Sequence, residues 1–337
     1  MPVGTLRLLS NHATYSERSS LTVNNVPNFM YTYKNSNTTQ QVHMIHSSYL
    51  ILTGLLLLTV NLKAQKNMTI GEVQTGVITN LKELVNAKEI TLADNKDLKS
   101  ITVLKALKGC QKLNLSATGV NDIKSLKYLR NLTYLDLSNT PVADLSPLKS
   151  LKKLKYLDLS NSKVTDLTPL KGLKYMEELI LVKTALKSIL VVKNMKNLKK
   201  LSLSSTELDL SPLKSHKNLQ SIILDDAKPK NLSSLTSIKS LSSVSLKNSK
   251  TPELSSIKNM ISLKNLDLSG TKFSDYKVLS TFINLENLNL SNSSISDLAP
   301  TFKLKHLRQL NIKDTKVNKQ KFKEFILATD PDIRINR

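Results

Sequence analysis

The chain has 337 residues, a net charge of +23, 40% hydrophobic residues but only 4% aromatic ones, and no tryptophan. That length suffices for a buried core, and the scarcity of aromatics points to one filled by aliphatic side chains. Cys110 is the single cysteine, which excludes an intramolecular disulfide.

Residues 1–43 are polar and rich in Asn, Ser and Thr. An apolar run of twelve follows at 49–60, and then Leu62-Lys63-Ala64-Gln65. The run fits the apolar region of a signal peptide and falls short of the ~20 residues a membrane span needs. The sequence therefore reads as a signal peptide over 44–64, cleaved after Ala64, in a secreted or surface protein. Translation would then start at Met44, leaving 1–43 as an upstream extension expected to be disordered. The alternative keeps Met1 and treats 44–64 as an uncleaved anchor or an interior apolar segment. No Cys follows the run, which argues against a lipoprotein.

Residues 65–88 contain "VITNLKELV" and are expected to form an N-terminal cap with a helix. Beyond them the chain repeats. "LTYLDLSNTPVADLSPLKS" at 132–150 and "LKYLDLSNSKVTDLTPLKG" at 154–172 agree at thirteen of nineteen positions. An apolar-x-apolar pair recurs from Ile90/Leu92 through Leu135/Leu137 and Leu201/Leu203 to Leu310/Ile312 and Ile333/Ile335. The spacing averages about 22 residues, a solenoid period. Alternation in Leu135-Asp136-Leu137 sends the leucines to one side of a short strand and the aspartate to the other. One such turn cannot bury its own leucines, so each coil must stack on its neighbours. Val142, Leu145 and Leu148 supply further inward positions. Ser146-Pro147, Thr168-Pro169 and Ser211-Pro212 place a hydroxyl before a proline, the start of a short helical or 3-10 turn, and the hydroxyl is expected to cap it. At the far end, "KQKFKEFILATDPDIRI" reads as a cap helix followed by a last strand. The fold expected over 89–337 is an α/β repeat solenoid, a horseshoe or gently curved rod. It has about twelve strands in a parallel concave ladder and short helical or 3-10 segments on the convex side.

The line L-x-x-L-x-L-S-x-T-x-V-x-D-L-x-P-L resembles the 22-residue leucine-rich repeats of internalin-type proteins and of a phosphatase regulatory subunit, over roughly residues 84–337. One position departs from that pattern. Where the family usually carries Asn, this chain has Thr118, Thr140, Ser162, Thr184, Thr206, Ser249, Thr271, Ser293 and Thr315. Their hydroxyls are expected to take over part of the amide's bonding to backbone. The resemblance implies a binding module, secreted in one branch and an intracellular scaffold or enzyme-regulating subunit in the other.

The charge is unevenly spread. The ladder's outward positions hold the acids Glu89, Asp136, Asp158, Glu178, Asp225, Asp267 and Asp332 against Lys112, Lys200, Lys247, Lys313 and Arg334. The ladder is therefore close to neutral, and lysines such as Lys149, Lys152, Lys153 and Lys155 crowd the flank leading into each strand. Such a flank suits a solvated surface, or contact with an anionic glycan or cell envelope. Specific nucleic-acid reading is not expected, because aromatics for base stacking are missing from the ladder apart from Tyr134 and Tyr156.

Nothing in the sequence points to catalysis or a cofactor. His216 and His306 have no partner at metal-ligand spacing, and no nucleophile, zinc-protease or phosphate-loop motif occurs. Cys110 reads as a small buried filler. Asp144, Asp166 and Asp297 recur once per coil, as structural residues bonding local backbone would. The candidate partner-binding residues are the ladder positions where coils differ. Tyr134 and Tyr156 share a column, with Asp136 and Asp158 beside them and Glu178 next in line. Ile180, Val182 and Ile223 are branched apolar residues where most coils carry Asp, Ser or Asn, and Asp225 and Asp267 complete the set. Apolar and tyrosine anchors ringed by polar residues suit a protein ligand. They also suit neighbour packing within a parallel ladder. The D-L-x-P-L line is lost in "KTALKSILVVKNM" at 183–195, beside these anchors.

Overall fold

The computed structural model describes residues 87–250, 254–273, 275–329 and 331–337, together with four strands among residues 1–43. The expected signal peptide at 44–64 and residues 65–86 of the expected cap lie outside the described residues. Nearer the N-terminus, β1 (Thr5–Leu6), β2 (Leu21–Asn24), β3 (Met30–Asn35) and β4 (Thr38–His43) pair antiparallel in that order. "MYTYKN" and "TTQQVH" are rich in the β-branched and aromatic residues that favour strands.

The repeats form one parallel sheet of twelve three-residue strands in chain order. Its first half comprises β5 (Glu89–Thr91), β6 (Lys112–Asn114), β7 (Tyr134–Asp136), β8 (Tyr156–Asp158), β9 (Glu178–Ile180) and β10 (Lys200–Ser202). The second half comprises β11 (Ser221–Ile223), β12 (Ser243–Ser245), β13 (Asn265–Asp267), β14 (Asn287–Asn289), β15 (Gln309–Asn311) and β16 (Arg334–Asn336). Equivalent residues pair across neighbouring strands, so Leu135 faces Leu157 and Leu157 faces Leu179. Register follows from the pleat: a one-residue slip would turn every core leucine to solvent. Leu113, Leu135, Leu157 and Leu179 are completely buried, as are Val142 and Leu148. Truncating one such leucine to alanine costs about 2–5 kcal/mol.

Between strands, each coil except the last returns through a short 3-10 segment, for example Ser146–Ser150, Thr168–Gly172 and Leu190–Asn194. The expected hydroxyl caps are corrected here. Ser146 and Thr168 are the first residues of their segments, and the cap comes from the aspartate two residues earlier. Asp144 Oδ1 accepts the Ser146 N–H at 2.8 Å and Asp166 Oδ1 accepts the Thr168 N–H at 2.8 Å. Asp297 does the same for Ala299 at 3.1 Å. In the coil that lost the aspartate and proline, the Ser188 hydroxyl accepts the Leu190 N–H at 3.1 Å and the turn persists.

Four residues beyond the middle of each strand but the last, the backbone enters the left-handed region. Asp94, Asn139, Asn161, Asp226, Asn248, Asn292 and Asp314 stand there with φ between 53° and 62°, and Gly270 with φ 66°. Asn, Asp and Gly tolerate that conformation best. Ala117, Lys183 and Ser205 hold it without that advantage.

The last coil departs from the 22-residue period. Helix α1 (Lys319–Ala328) is inserted, capped by Asn318 Oδ1 accepting the Lys321 N–H at 2.8 Å and anchored by buried Phe325. Its length moves the final strand on, so Leu310 pairs with Ile335 and not with Ile333. The expected Ile333/Ile335 pair is therefore out of register by two residues, and Asp332 leaves the ladder.

Candidate functional site

The strands present three outward columns: the residues before, between and after the inward pair. In the first column, unlike neighbours pair off. Glu89 meets Lys112 at 2.8 Å, and Glu178 meets Lys200 at 3.5 Å. Between these pairs, the Tyr134 and Tyr156 rings stack with centroids 4.2 Å apart and planes 7° from parallel. Burial pushes both phenol groups above the usual tyrosine range, and the carboxylates of Asp136 and Asp158 add to it.

The second column is largely committed to backbone. Asp136 Oδ1 accepts the Ser138 N–H at 2.9 Å, Asp158 Oδ1 the Ser160 N–H at 2.8 Å, and Asp267 Oδ1 the Ser269 N–H at 2.8 Å. Burial raises the Asp158 carboxyl above the ordinary range even so. Ile180 and Ile223 interrupt this column on β9 and β11, with buried Ser202 in register between them. Ile223 is 39% exposed, while Ile180 and Val182 are half-buried. Asp225, in the third column, accepts the Ser245 hydroxyl and the Lys247 N–H of the next coil. Nine of the ten predicted residues thus lie along β7–β11 and the turns leaving those strands. Asp267 stands two strands further on.

It stands in a second feature, which the sequence reading missed. A groove of about 580 Å³ runs over β12–β16, lined by amides and hydroxyls including Ser245, Asn265, Asn287, Asn289, Gln309 and Asn311. Asn287 Nδ2 donates to Asn265 Oδ1 at 2.6 Å, and Asn289 Nδ2 to Asp267 Oδ2 at 3.0 Å, so these side chains are oriented by one another. The signal was available: from β13 onward the first two outward columns are mostly Asn.

Comparison with known proteins bears on the repeats themselves. The family model for Leucine Rich repeats (2 copies) matches residues 108–150 and 130–172, which includes the two quoted lines. The chain is a leucine-rich repeat protein. No curated protein matches it in sequence. Among solved structures it is similar to an internalin, inlF, from Listeria monocytogenes: 22% identity, TM-score 0.62, covering 80% of this chain and 86% of that one. It is also similar to the Leptospira interrogans leucine-rich repeat protein LIC12759, with 20% identity, TM-score 0.54, and 76% and 91% of the two chains covered. The functional domain of InlJ from L. monocytogenes matches at 22% identity and TM-score 0.56, over 73% of this chain and 53% of that one. At these identities the likeness is one of fold.

Within the leucine-rich repeat frame, the threonines of the Thr and Ser column work differently from the expected amide, while the buried Ser162, Ser249 and Ser293 hydroxyls have no partner. Thr118, Thr184 and Thr315 hydroxyls donate to the carbonyl three residues back, at 2.7, 2.8 and 2.7 Å, inside their own coil. Coil-to-coil amide bonds come from another column. Asn131, Asn197, Asn218 and Asn284 Nδ2 donate to Lys108, Lys174, Lys196 and Ile261 carbonyls at 2.8–3.0 Å. Cys110 is fully buried and its thiol is pushed up to about 12, chiefly by desolvation. His216 is buried, its Nε2–H donating to the Val192 carbonyl at 3.1 Å. Among the described residues no cluster of three His, Cys, Asp or Glu side chains is placed to hold a metal ion.

Proposed function

We propose that this leucine-rich repeat chain is an exported, non-catalytic module that recognises a protein partner on its concave ladder. The observation that carries the reading is the apolar interruption of a polar face. Ile180, Val182 and Ile223 stand partly exposed along the ladder from the Tyr134–Tyr156 stack, where most other coils present Asp, Asn or Ser. Leaving branched apolar groups at the surface has a hydration cost that a partner's apolar side chain removes, and such anchors ringed by satisfied polar groups dominate protein interfaces. Twelve strands at ~4.8 Å give a strip on the order of 50 Å, long enough for an interface of ordinary size. Export rests on the apolar run at 49–60 and the small residue Ala64 that follows it. Among the described residues no helix is long and apolar enough to cross a membrane.

The test is to pan a displayed library of small folded domains on the full chain. The isolated binders are then measured against the Ile180→Asp/Ile223→Asp variant and against a Val103→Asp control on a 3-10 turn. Binders that lose at least tenfold in affinity to the double variant, and keep it for the control, support the reading. A binder set indifferent to the double variant would sink it.

A further inference from the structure

Six consecutive coils carry a base in the last turn of the 3-10 segment: Lys105, Lys127, Lys149, Lys171, Lys193 and Lys214. Three residues later each coil carries a second: Lys108, Arg130, Lys152, Lys174, Lys196 and Lys217. All twelve are exposed. The stacking is direct. Lys108, Lys174 and Lys196 carbonyls accept the Asn amides of the next coil, and the Lys127 carbonyl accepts the Ser150 hydroxyl at 3.0 Å. Two cationic lanes therefore run side by side along the rod. At a coil spacing of ~4.8 Å, six coils span on the order of 25 Å.

Acids are sparse along these lanes, although Asp209 feels the charge of Lys214. Most ion pairs of the coils join ladder and strand-entry residues, such as Glu177 with Lys155 and Lys199, while Lys124–Asp122 and Lys230–Glu207 lie in the turns. Leaving Lys105 aside, no lane base enters an ion pair among the described residues. Asp122, Asp144, Asp166 and Asp209 cap the opposite ends of the same 3-10 segments, each with an oxygen held by a backbone N–H. Of the lane bases, Lys127 lies 5.1 Å from the Tyr128 ring centroid and Lys196 reaches the Ser215 hydroxyl at 3.3 Å.

A base in a last turn complements the terminal carbonyls, which accounts for the first lane but not for the second. Solubility alone is served by interspersed signs. Like charges repeated every ~5 Å lie inside the Debye length of ~8 Å at physiological salt and repel one another. A polyanion lying along them removes that repulsion and releases its counterions. The track also has an end. Beyond Lys217 the lanes break up: the second keeps Lys239 but passes to exposed Ile261 and Ile283 before Lys305, and the first meets Thr236, then Lys258, then Ser280.

We propose that this two-lane track binds a linear anionic polysaccharide, its sulfate, phosphate or carboxylate groups held between the lanes. Eleven of the twelve bases are lysines, point charges suited to any such anion and not tuned to bidentate pairing. Tyr128 and Tyr175, 46% and 59% exposed, stand beside the lanes, where their apolar ring faces suit the C–H faces of sugar rings. Duplex nucleic acid fits less well, because its phosphates wind around grooves up to ~12 Å wide instead of following a straight strip. A single strand needs a succession of stacking aromatics, and two tyrosines do not supply one. The site is separate from the concave ladder and does not depend on the partner proposed there.

The experiment measures binding of the full chain to a heparin decasaccharide, a polygalacturonate oligomer, a 20-base-pair DNA duplex and phosphatidylglycerol vesicles across a salt series. The variant is Lys149→Gln/Lys152→Gln/Lys171→Gln/Lys174→Gln. The control, Lys250→Gln/Lys303→Gln/Lys313→Gln/Lys316→Gln, removes the same charge elsewhere. The lane variant is expected to weaken at least one oligosaccharide tenfold or more at physiological salt. By the ~0.7 slope per neutralised charge of single-chain polyanions, it should also flatten log K against log salt by about 2–3. The control should change affinity by less than threefold, and Lys→Arg at the four lane positions should restore binding. Equal losses in lane variant and control would reduce the effect to net charge and overturn the proposal. So would lane-dependent binding that is tighter for the duplex or the vesicles than for both oligosaccharides.

Discussion

Lys183 stands at the left-handed position of its coil with φ 52°. Its side chain is exposed, and its backbone N–H donates to the Ser204 carbonyl at 3.0 Å. A side chain with Cβ costs roughly 1–2 kcal/mol in this conformation. Asn and Asp recover part of that by local bonding, which is why they fill the column elsewhere. Glycine removes the steric cost but loses about 0.5–1 kcal/mol through the freedom of the unfolded chain. Lys183→Gly keeps the N–H bond and loses no buried side chain, so a net gain of about 0.5–1 kcal/mol is expected. For a domain of this size that corresponds to a rise in Tm of roughly 1–4 °C. The measurement is the urea midpoint at unchanged slope, with Asn139→Gly, expected to be near neutral, as the comparison. A midpoint for Lys183→Gly below that of the parent chain would refute the steric reasoning. It would mean that the lysine contributes something at this turn beyond its backbone.

Three further outcomes follow from the same coils. Burial holds His216 below the usual imidazole range, and its buried Nδ1 has no partner, so the unfolded chain takes up the proton first. Stability should be full above about pH 6.5 and fall as pH drops below it. His216→Leu should flatten that slope in thermal melts from pH 7.5 to 5. Cys110, buried and with its thiol pushed up to about 12, should resist a disulfide-exchange reagent at pH 8 in the native chain and react at once in denaturant. A double-mutant cycle of Tyr134→Ala and Tyr156→Ala, read by denaturant unfolding, should return a coupling of about 0.5–1.5 kcal/mol for the stacked rings. A coupling of zero would show that stacking adds nothing to ladder stability.

The solenoid was legible because its cause is periodic: leucines alternate in a strand and recur every 22 residues, and a wrong register would expose them all. The details that escaped are those in which two residue types compete for one task. Ser146 and Asp144 both suit a turn start. The carboxylate took the N–H because it reaches back from two residues away, whereas Ser146 lies inside the segment. The last coil was misread because Ile333 and Ile335 alternate just as the true pairs do, and only the length of α1 decides between them. The amide rungs at Asn131, Asn197, Asn218 and Asn284 were present as a column in the sequence but lie outside the strands, and of the lysine lanes only the crowding of Lys149 and Lys152 on the flank was legible without the coil geometry. The apolar interruption at Ile180 and Ile223 was legible because it breaks the period without breaking the fold.

Asp158 separates the two roles that a ladder residue can have. One oxygen accepts the Ser160 N–H, while desolvation raises the carboxyl above the ordinary Asp range. A raised carboxylate pKa means the folded chain binds the proton more tightly than the unfolded one. Ionisation at Asp158 therefore lowers stability as pH rises from the unfolded value near 4 through the folded one. Asp158→Asn keeps an oxygen for the N–H and abolishes the charge, so it should be neutral or slightly stabilising at pH 7. Asp158→Ala removes the acceptor and should cost about 1 kcal/mol. If the charge serves a partner, Asn at 158 weakens that partner's binding while leaving the fold intact. If the residue serves only its turn, Asn is silent in binding and Ala acts through stability alone. The same pair of substitutions at Asp136 and Asp267 sorts the rest of the second column. Ile180 and Ile223 have no such backbone task in that column, and neither has Val182 beside them, which is why the recognition surface is proposed there.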